Sequence, residues 1–134
     1  MTDTKASLRA ADGAQLIFSL SGRGTHHIEF VVGVESAWLT AAAPASTYVN
    51  GSPASLFREM AAYWRGWDDV KNWEDLEGRV RLSALSDSAG QVRLEVVLDG
   101  PKYTDQVQVT LIYEAAMLEE MSRQISRLFE AGAA

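Results

Sequence analysis

The sequence contains no cysteine, only three prolines and fewer basic than acidic residues. Without cysteine, the chain can form no disulfide, no thiolate metal site and no cysteine nucleophile. Twelve basic residues against eighteen acidic ones give a net charge of −6, which argues against binding nucleic acid through its phosphates. No apolar run approaches the roughly eighteen residues of a membrane span, and the first residues, MTDTKASLRAADG, lack a signal peptide's apolar stretch. We therefore expect a cytoplasmic protein that contacts neither nucleic acid nor a membrane.

The length and composition are those of one ordinary globular domain. The chain has 134 residues, of which 47% are hydrophobic and 22% charged. These fractions exclude wholesale disorder, and a chain of this length buries enough surface to form a core without disulfides. We expect a single α+β domain over residues 1–134.

Alternation of apolar and polar residues predicts six strands, at 8–11, 14–20, from 26 onward, 79–85, 92–98 and 107–113. Residues 41–51 are small and polar, which predicts a loop. Ser52-Pro53 is a typical helix start, and the stripe that begins at Leu56 and ends at Trp64 predicts the first helix. A second helix is predicted over 114–130. Short connections favour antiparallel pairing, so we expect one six-stranded antiparallel sheet (three strands and a helix, twice) with both helices on one face.

Residues 63–78, YWRGWDDVKNWEDLEG, are the most informative segment. They contain three of the four tryptophans, and residues 68–77 carry five acidic side chains and one basic, a local charge of −4. Trp64, on the apolar stripe, is interpreted as a core residue, and Trp73 as a structural residue whose ring pins a loop onto the sheet. Aromatic rings beside carboxylates are also typical of a recognition surface. The candidate partner-binding residues are Trp67, Asp68, Asp69, Glu74, Asp75 and, outside the segment, Trp38.

This segment resembles an uncharacterised, mainly actinobacterial family, a domain of unknown function. The resemblance is carried by Trp64-Arg65-Gly66-Trp67, Trp73, Leu76-Glu77-Gly78, Asp87-x-x-Gly90-x-Val92 and the final helix from Glu114. It implies a fold and almost no chemistry, because the family has no assigned activity. More loosely, the predicted element order looks like that of the WapI-type immunity proteins, which protect bacteria from polymorphic toxins.

The sequence offers no convergent set of catalytic groups. His26 and His27 are adjacent, so on a strand they point to opposite faces and cannot hold one metal ion together. Gly22-Arg23-Gly24-Thr25 lacks the ending of a phosphate-binding loop, and no serine lies in a Gly-x-Ser-x-Gly turn. For Glu77, a role in holding loop amides or pairing with Arg65 or Arg79 is favoured over ligand binding. We predict no catalytic, cofactor-binding or metal-binding residue and no cofactor.

Two functional hypotheses remain open. The favoured one is a non-enzymatic interaction module, of the immunity or antitoxin type, whose acidic aromatic surface binds a basic protein. The alternative is a small-molecule-binding protein or cryptic enzyme with a pocket between the sheet and the 41–51 loop. A homodimer that covers an exposed sheet edge is compatible with either hypothesis.

Overall fold

The computed structural model of the chain describes residues 4–87, 89–102 and 104–133, with side chains as far as Glu130. Within these residues it contains eight strands and two α-helices. Their bounds are β1 Lys5–Arg9, β2 Gln15–Arg23, β3 Ile28–Glu35, β4 Thr40–Ser46, α1 Ala54–Ala62, β5 Lys71–Glu74, β6 Val80–Ser86, β7 Gln91–Asp99, β8 Gln106–Glu114 and α2 Leu118–Ala133. A short 3₁₀ helix, Ala115–Met117, leads from β8 into α2.

The strands form two separate four-stranded antiparallel sheets, not the single six-stranded sheet that the sequence predicted. The first sheet has the order β1-β2-β3-β4 and the second the order β5-β6-β7-β8, so each strand pairs with its neighbour in sequence. Four strands and a helix therefore occur twice. The prediction of an α+β fold with antiparallel strands is confirmed, whereas the strand number and the single sheet are wrong.

The two unpredicted strands account for the difference. β4 overlaps the first six residues of the segment expected to be a loop, 41–51, and its inward positions are Ala43 and Ala45. Alanine has a low strand propensity, so the alternation was not visible as a strand pattern. In the register with β3, however, Ala43 lies opposite Val32, and the small side chain fits beside a larger one. β5 has only four residues and lies inside the acidic tryptophan segment.

One hydrophobic cluster contains residues of both sheets and both helices. Phe30 contacts rings of three other elements in this cluster: its ring centroid lies 4.9 Å from that of Phe129 in α2, 6.0 Å from that of Trp73 in β5 and 6.4 Å from that of Phe18 in β2. The helices pack against each other, α2 also contacts β1 and β3, and α1 contacts β5. The alternate apolar residues of β3 and β7 are buried, as the alternation predicts, and Trp73, expected to be structural, is buried as well.

Two hydrogen bonds connect the edge strands of the two sheets. The backbone N–H of Ala11, just beyond β1, donates to the carbonyl of Ile112 in β8 at 2.9 Å. The hydroxyl of buried Tyr113 donates to the carbonyl of Leu8 at 2.9 Å. On the opposite side of the core, β4 contacts β6 and β7. The sheets thus enclose a shared interior.

Across the part of the chain that the structure describes, neither helix is both long and apolar enough to cross a membrane.

Candidate functional site

The segment that follows α1 is exposed because the helix ends earlier than its apolar stripe suggested. Leu56, Phe57 and Met60 are buried, as the stripe predicts, but α1 stops at Ala62. Trp64 lies two residues beyond that end and is 53% exposed. The helical spacing no longer applies there, so the prediction that Trp64 belongs to the core is wrong.

Residues 63–70 form a turn-rich segment that we call the aromatic loop. The N–H of Gly66 donates to the carbonyl of Tyr63 at 2.8 Å, and Gly66 has a φ of +125°, which L side chains rarely adopt. Asp69 also has a positive φ, +62°, which aspartate tolerates better than most residues. Trp67 fixes the loop to the second sheet, because its indole Nε1 donates to the carbonyl of Ala84 at 3.2 Å.

Lys71, the first residue of β5, is held by a carboxylate of α1 and by two rings of the aromatic loop. Its Nζ lies 2.8 Å from Oε1 of Glu59, on α1. The same ammonium lies 4.5 Å from the ring centroid of Tyr63 and 5.6 Å from that of Trp67, both within cation–π range. Its side chain is 13% exposed. Lys71 therefore links the end of α1, the aromatic loop and the start of β5.

The outer surface of the aromatic loop combines apolar and acidic groups. Tyr63, Trp64 and Val70 are exposed, and so are Asp68 and Asp69. Arg65 covers part of the surface, with its guanidinium carbon 5.1 Å from the Trp64 ring centroid. Exposed large aromatic side chains beside fixed charges are the composition of an interaction surface.

The other predicted contact residues lie elsewhere. Asp75 is buried, and its Oδ1 accepts the N–H of Val80 at 3.2 Å, so it shapes the turn between β5 and β6. Glu74 is exposed at the end of β5, where its carbonyl accepts a hydrogen bond from Asn50. Trp38 is 83% exposed at the hairpin between β3 and β4, in the first sheet. Of the six predicted residues, the structure places Trp67, Asp68 and Asp69 together on the aromatic loop.

A second feature is a cavity of about 520 Å³ where the ends of β3 and β4 face the turn between β5 and β6. The polar and aromatic groups that line it include His27, Glu29, Tyr48, Glu77 and Arg79. Nε2 of His27 lies 3.8 Å from Oε1 of Glu29, and the His27 and Tyr48 rings meet edge to face at 6.0 Å. Exposed Leu76 and Tyr48 also line it, and Phe30 and Pro44 add apolar contacts.

A model of a family of unknown function, DUF6228, matches residues 8–132. The chain belongs to this family. No curated protein and no solved structure matches the chain. The membership confirms the expectation of an uncharacterised family and covers the aromatic loop, the cavity and nearly all of both sheets.

Sequence reasoning missed five residues of the aromatic loop site in this DUF6228 chain. Glu59 and Lys71 anchor the loop, and Tyr63, Trp64 and Val70 contribute to its surface. The one usable signal was Lys71, the single basic residue of the acidic segment 68–77. A lone cation among acids and aromatic rings is a good candidate for a structural contact. The ion-pair partner of Lys71, Glu59, could be identified only from the structure, because Glu59 lies on α1, before the loop.

Proposed function

We propose that this chain is a non-enzymatic binding protein that docks a basic protein partner on the aromatic loop. The observation that carries the proposal is the exposed pair Tyr63 and Trp64, with half-buried Trp67 next to them, beside exposed Asp68 and Asp69. Tyrosine and tryptophan supply much contact area for few rotatable bonds, and carboxylates next to them select a partner of opposite charge.

The anchoring of the loop supports binding, because ordering a mobile segment costs free energy at the moment of association. Here the intramolecular contacts of Lys71 and the indole hydrogen bond of Trp67 order the loop in the free chain. The binding surface is therefore preorganised before the partner binds. Lys71 also neutralises Glu59 locally, so Asp68 and Asp69 dominate the charge that an approaching protein meets.

The charge of the whole chain favours the same partner class. A net charge of −6 attracts a basic protein over distances set by the salt concentration and speeds the encounter. An immunity protein that occludes a basic toxin, such as a nuclease, is the specific form of the proposal. Its mechanism is steric and electrostatic cover of the toxin's basic surface, with no chemistry performed by this chain.

The test uses the product of any toxin-like gene that neighbours this chain's gene. We expect binding by calorimetry, and rescue of growth when the chain is co-expressed with that protein. Trp64→Ala and Asp68→Lys are each expected to weaken binding about tenfold or more, as central contacts of an interface do. Trp38→Ala is the matched control, because it removes an even more exposed tryptophan from the other sheet.

Each outcome of this test counts. Absence of rescue overturns the immunity role. Binding that Trp64→Ala and Asp68→Lys leave unchanged, or that Trp38→Ala weakens as much, overturns the assignment to the aromatic loop. Affinity that rises with salt contradicts the electrostatic part of the proposal, since screening weakens attraction between opposite charges.

The cavity supports a second candidate, a small-ligand site. Pro44, Ala45, Ser46 and Tyr48 line it, so it lies beside the segment where the sequence suggested a pocket. Its volume falls within the usual range for small-molecule sites. A thermal shift screen with metabolites checks this candidate, because a ligand that prefers the folded state raises the melting temperature. A hit that Tyr48→Ala leaves unchanged excludes this cavity as the site.

A further inference from the structure

In the ranges that the structure describes, the two sheets have four edge strands, and three of them carry features that discourage pairing with another chain. β1 has five residues, with Lys5 and Arg9 at exposed positions. β4 contains Pro44, which has no N–H to donate, and packs against the second sheet. β5 has four residues and contacts α1. Short length, edge charges, proline and cover by a helix are the usual protections of a sheet edge.

The fourth edge, β8, lacks these protections over most of its length. β8 has nine residues, and its stretch 106–111 reads Gln-Val-Gln-Val-Thr-Leu, without a charge, a proline or a glycine. In the described residues, β7 is the strand that pairs with this stretch. The backbone bond from Ala11 reaches β8 at Ile112, beyond the stretch. Among the residues that the structure describes, no strand is therefore hydrogen-bonded to the outer edge of 106–111.

Burial along β8 shows that the core is incompletely closed at this edge. Val107 and Val109 share the inward face with Leu111 and Tyr113, but only the latter two are buried. The partners of the two valines on β7, Leu98 and Val96, are fully enclosed. A strand added outside β8 would cover the valines and extend the second sheet.

We propose that β8 pairs antiparallel with β8 of a second copy of this chain, about a twofold axis at Gln108. In this register Val107 lies opposite the partner's Val109, and Gln106 lies opposite the partner's Thr110. Directly opposed residues of antiparallel strands point to the same face. The valines of both copies therefore remain on the core side, and the polar side chains of both copies remain on the outer side.

A second copy is favoured over an unrelated peptide because the stretch is self-complementary. One face of the stretch carries apolar side chains, and the other carries uncharged amides and a hydroxyl. No like charges therefore oppose each other in the symmetric pair. The unfavourable contribution is the net charge of −6 on each copy. Added salt screens that repulsion, so the dimer is strengthened by salt. This response is opposite to that expected for a basic partner on the aromatic loop.

Sedimentation equilibrium over a range of protein and salt concentrations tests the proposal on the full chain. We expect a mass that approaches twice the 14.7 kDa of one chain as the concentration rises. Gln108→Lys places two ammonium groups opposite each other at the axis and is expected to raise the dissociation constant roughly tenfold or more. Ser7→Lys, at an exposed position of β1, adds the same charge and is expected to leave it unchanged.

A single engineered cysteine gives an independent measurement, because the chain has none of its own. Gln108→Cys is expected to form a disulfide-linked dimer under mild oxidation, since opposed side chains at the axis lie close enough to bridge. Ser7→Cys is the control and is expected to remain monomeric. A monomer at all concentrations overturns the proposal. A dimer that Gln108→Lys leaves intact, or equal cross-linking of both cysteine variants, overturns β8 as the interface and leaves the aromatic loop proposal untouched.

Discussion

Lys71 shows how one side chain can turn a loop into a fixed surface. Its ammonium contacts the Glu59 carboxylate and two aromatic rings, and these contacts stabilise its charge against the surface of the protein. Each contact is of a kind that contributes modestly on its own. Together they restrain the positions of Tyr63 and Trp67, on which the proposed partner binding depends.

Lys71→Met keeps the length of the side chain and removes its charge. We expect the free energy of unfolding to fall by about 1 kcal/mol, the combined size of a partly exposed ion pair and a cation–π contact. Urea denaturation measures the change. Lys102→Met is the matched control, because Lys102 is exposed in the connection between β7 and β8. An equal loss in both variants would show that the contacts of Lys71 contribute nothing.

Asp99 provides a test of how stability depends on pH in the acid range. The hydrogen bonds from Arg81 and then Gln106 lower the pKa of the Asp99 carboxyl below its ordinary value. A lowered pKa means that Asp99 stabilises the fold above the pKa of the unfolded carboxyl, about 3.9, and that this contribution is lost as the pH falls below it. We expect Asp99→Asn to be less stable than the parent chain at neutral pH. In urea denaturation across the acid range, the difference between the two proteins should shrink as the pH falls, and a constant difference would contradict the linkage.

At the scale of a residue, alternation predicted which strand residues are buried. For the tryptophans, the prediction was right for Trp73 and wrong for Trp64. Trp73 alternates into a buried strand position, and its indole donates to the carbonyl of Gly51 at 3.2 Å. Trp64 matched the helical spacing equally well, yet the helix had ended. Asp75 looked like part of an acidic surface, although its carboxylate is used inside a turn. Residue type and spacing do not reveal where an element stops.

At the scale of an element, strands with large alternating side chains were predictable and small or short ones were not. β3 and β7 place valine, leucine, isoleucine or phenylalanine at alternate positions, a pattern that is typical of a half-buried strand. β4 places alanines there, and β5 is too short for alternation to be distinguished from chance. Missing these two strands merged two sheets into one, because the remaining six appeared to be a single set.

Tyr113 is the side chain that joins β8 to β1. Its burial, with a further contribution from the charge of Asp12, raises the pKa of its hydroxyl above the ordinary value near 10. The neutral hydroxyl therefore stabilises the fold below about pH 10, and this contribution is lost as the pH rises above it. Tyr113→Phe is expected to cost about 1–2 kcal/mol at neutral pH, because the carbonyl of Leu8 loses its hydrogen bond.

Denaturation at alkaline pH separates the hydrogen bond of Tyr113 from the effect of its raised pKa on stability. In the parent chain, stability should decline above about pH 10, whereas Tyr113→Phe should show a flatter alkaline dependence. Tyr48→Phe is the control, since Tyr48 is exposed at the rim of the cavity. A decline of the same steepness in Tyr113→Phe and in the parent chain would contradict a buried hydroxyl as its cause.

At the scale of the whole molecule, Phe30 connects the two halves. Its ring contacts Trp73 of the second sheet and Phe129 of the last helix. We expect Phe30→Ala to cost about 3–5 kcal/mol, as for other buried aromatic residues. We also expect one cooperative unfolding transition, seen at the same denaturant concentration by circular dichroism and by fluorescence. Trp38→Ala should change stability by less than about 0.5 kcal/mol, and two separate transitions would show that the halves unfold independently.

The neighbour-to-neighbour pairing of all eight strands has a consequence for how quickly the native state is reached. Each meander needs only hairpin contacts between adjacent segments, so little chain entropy is lost before those contacts begin to form. The costly encounters at large separation along the chain join the two halves: they include the aromatic cluster, the helix pair, the contacts of α2 with β1 and β3 and of β4 with β6 and β7, and the hydrogen bonds that connect β1 to β8. The rate-limiting event is therefore expected to be the joining of two largely formed meanders, not the construction of either one.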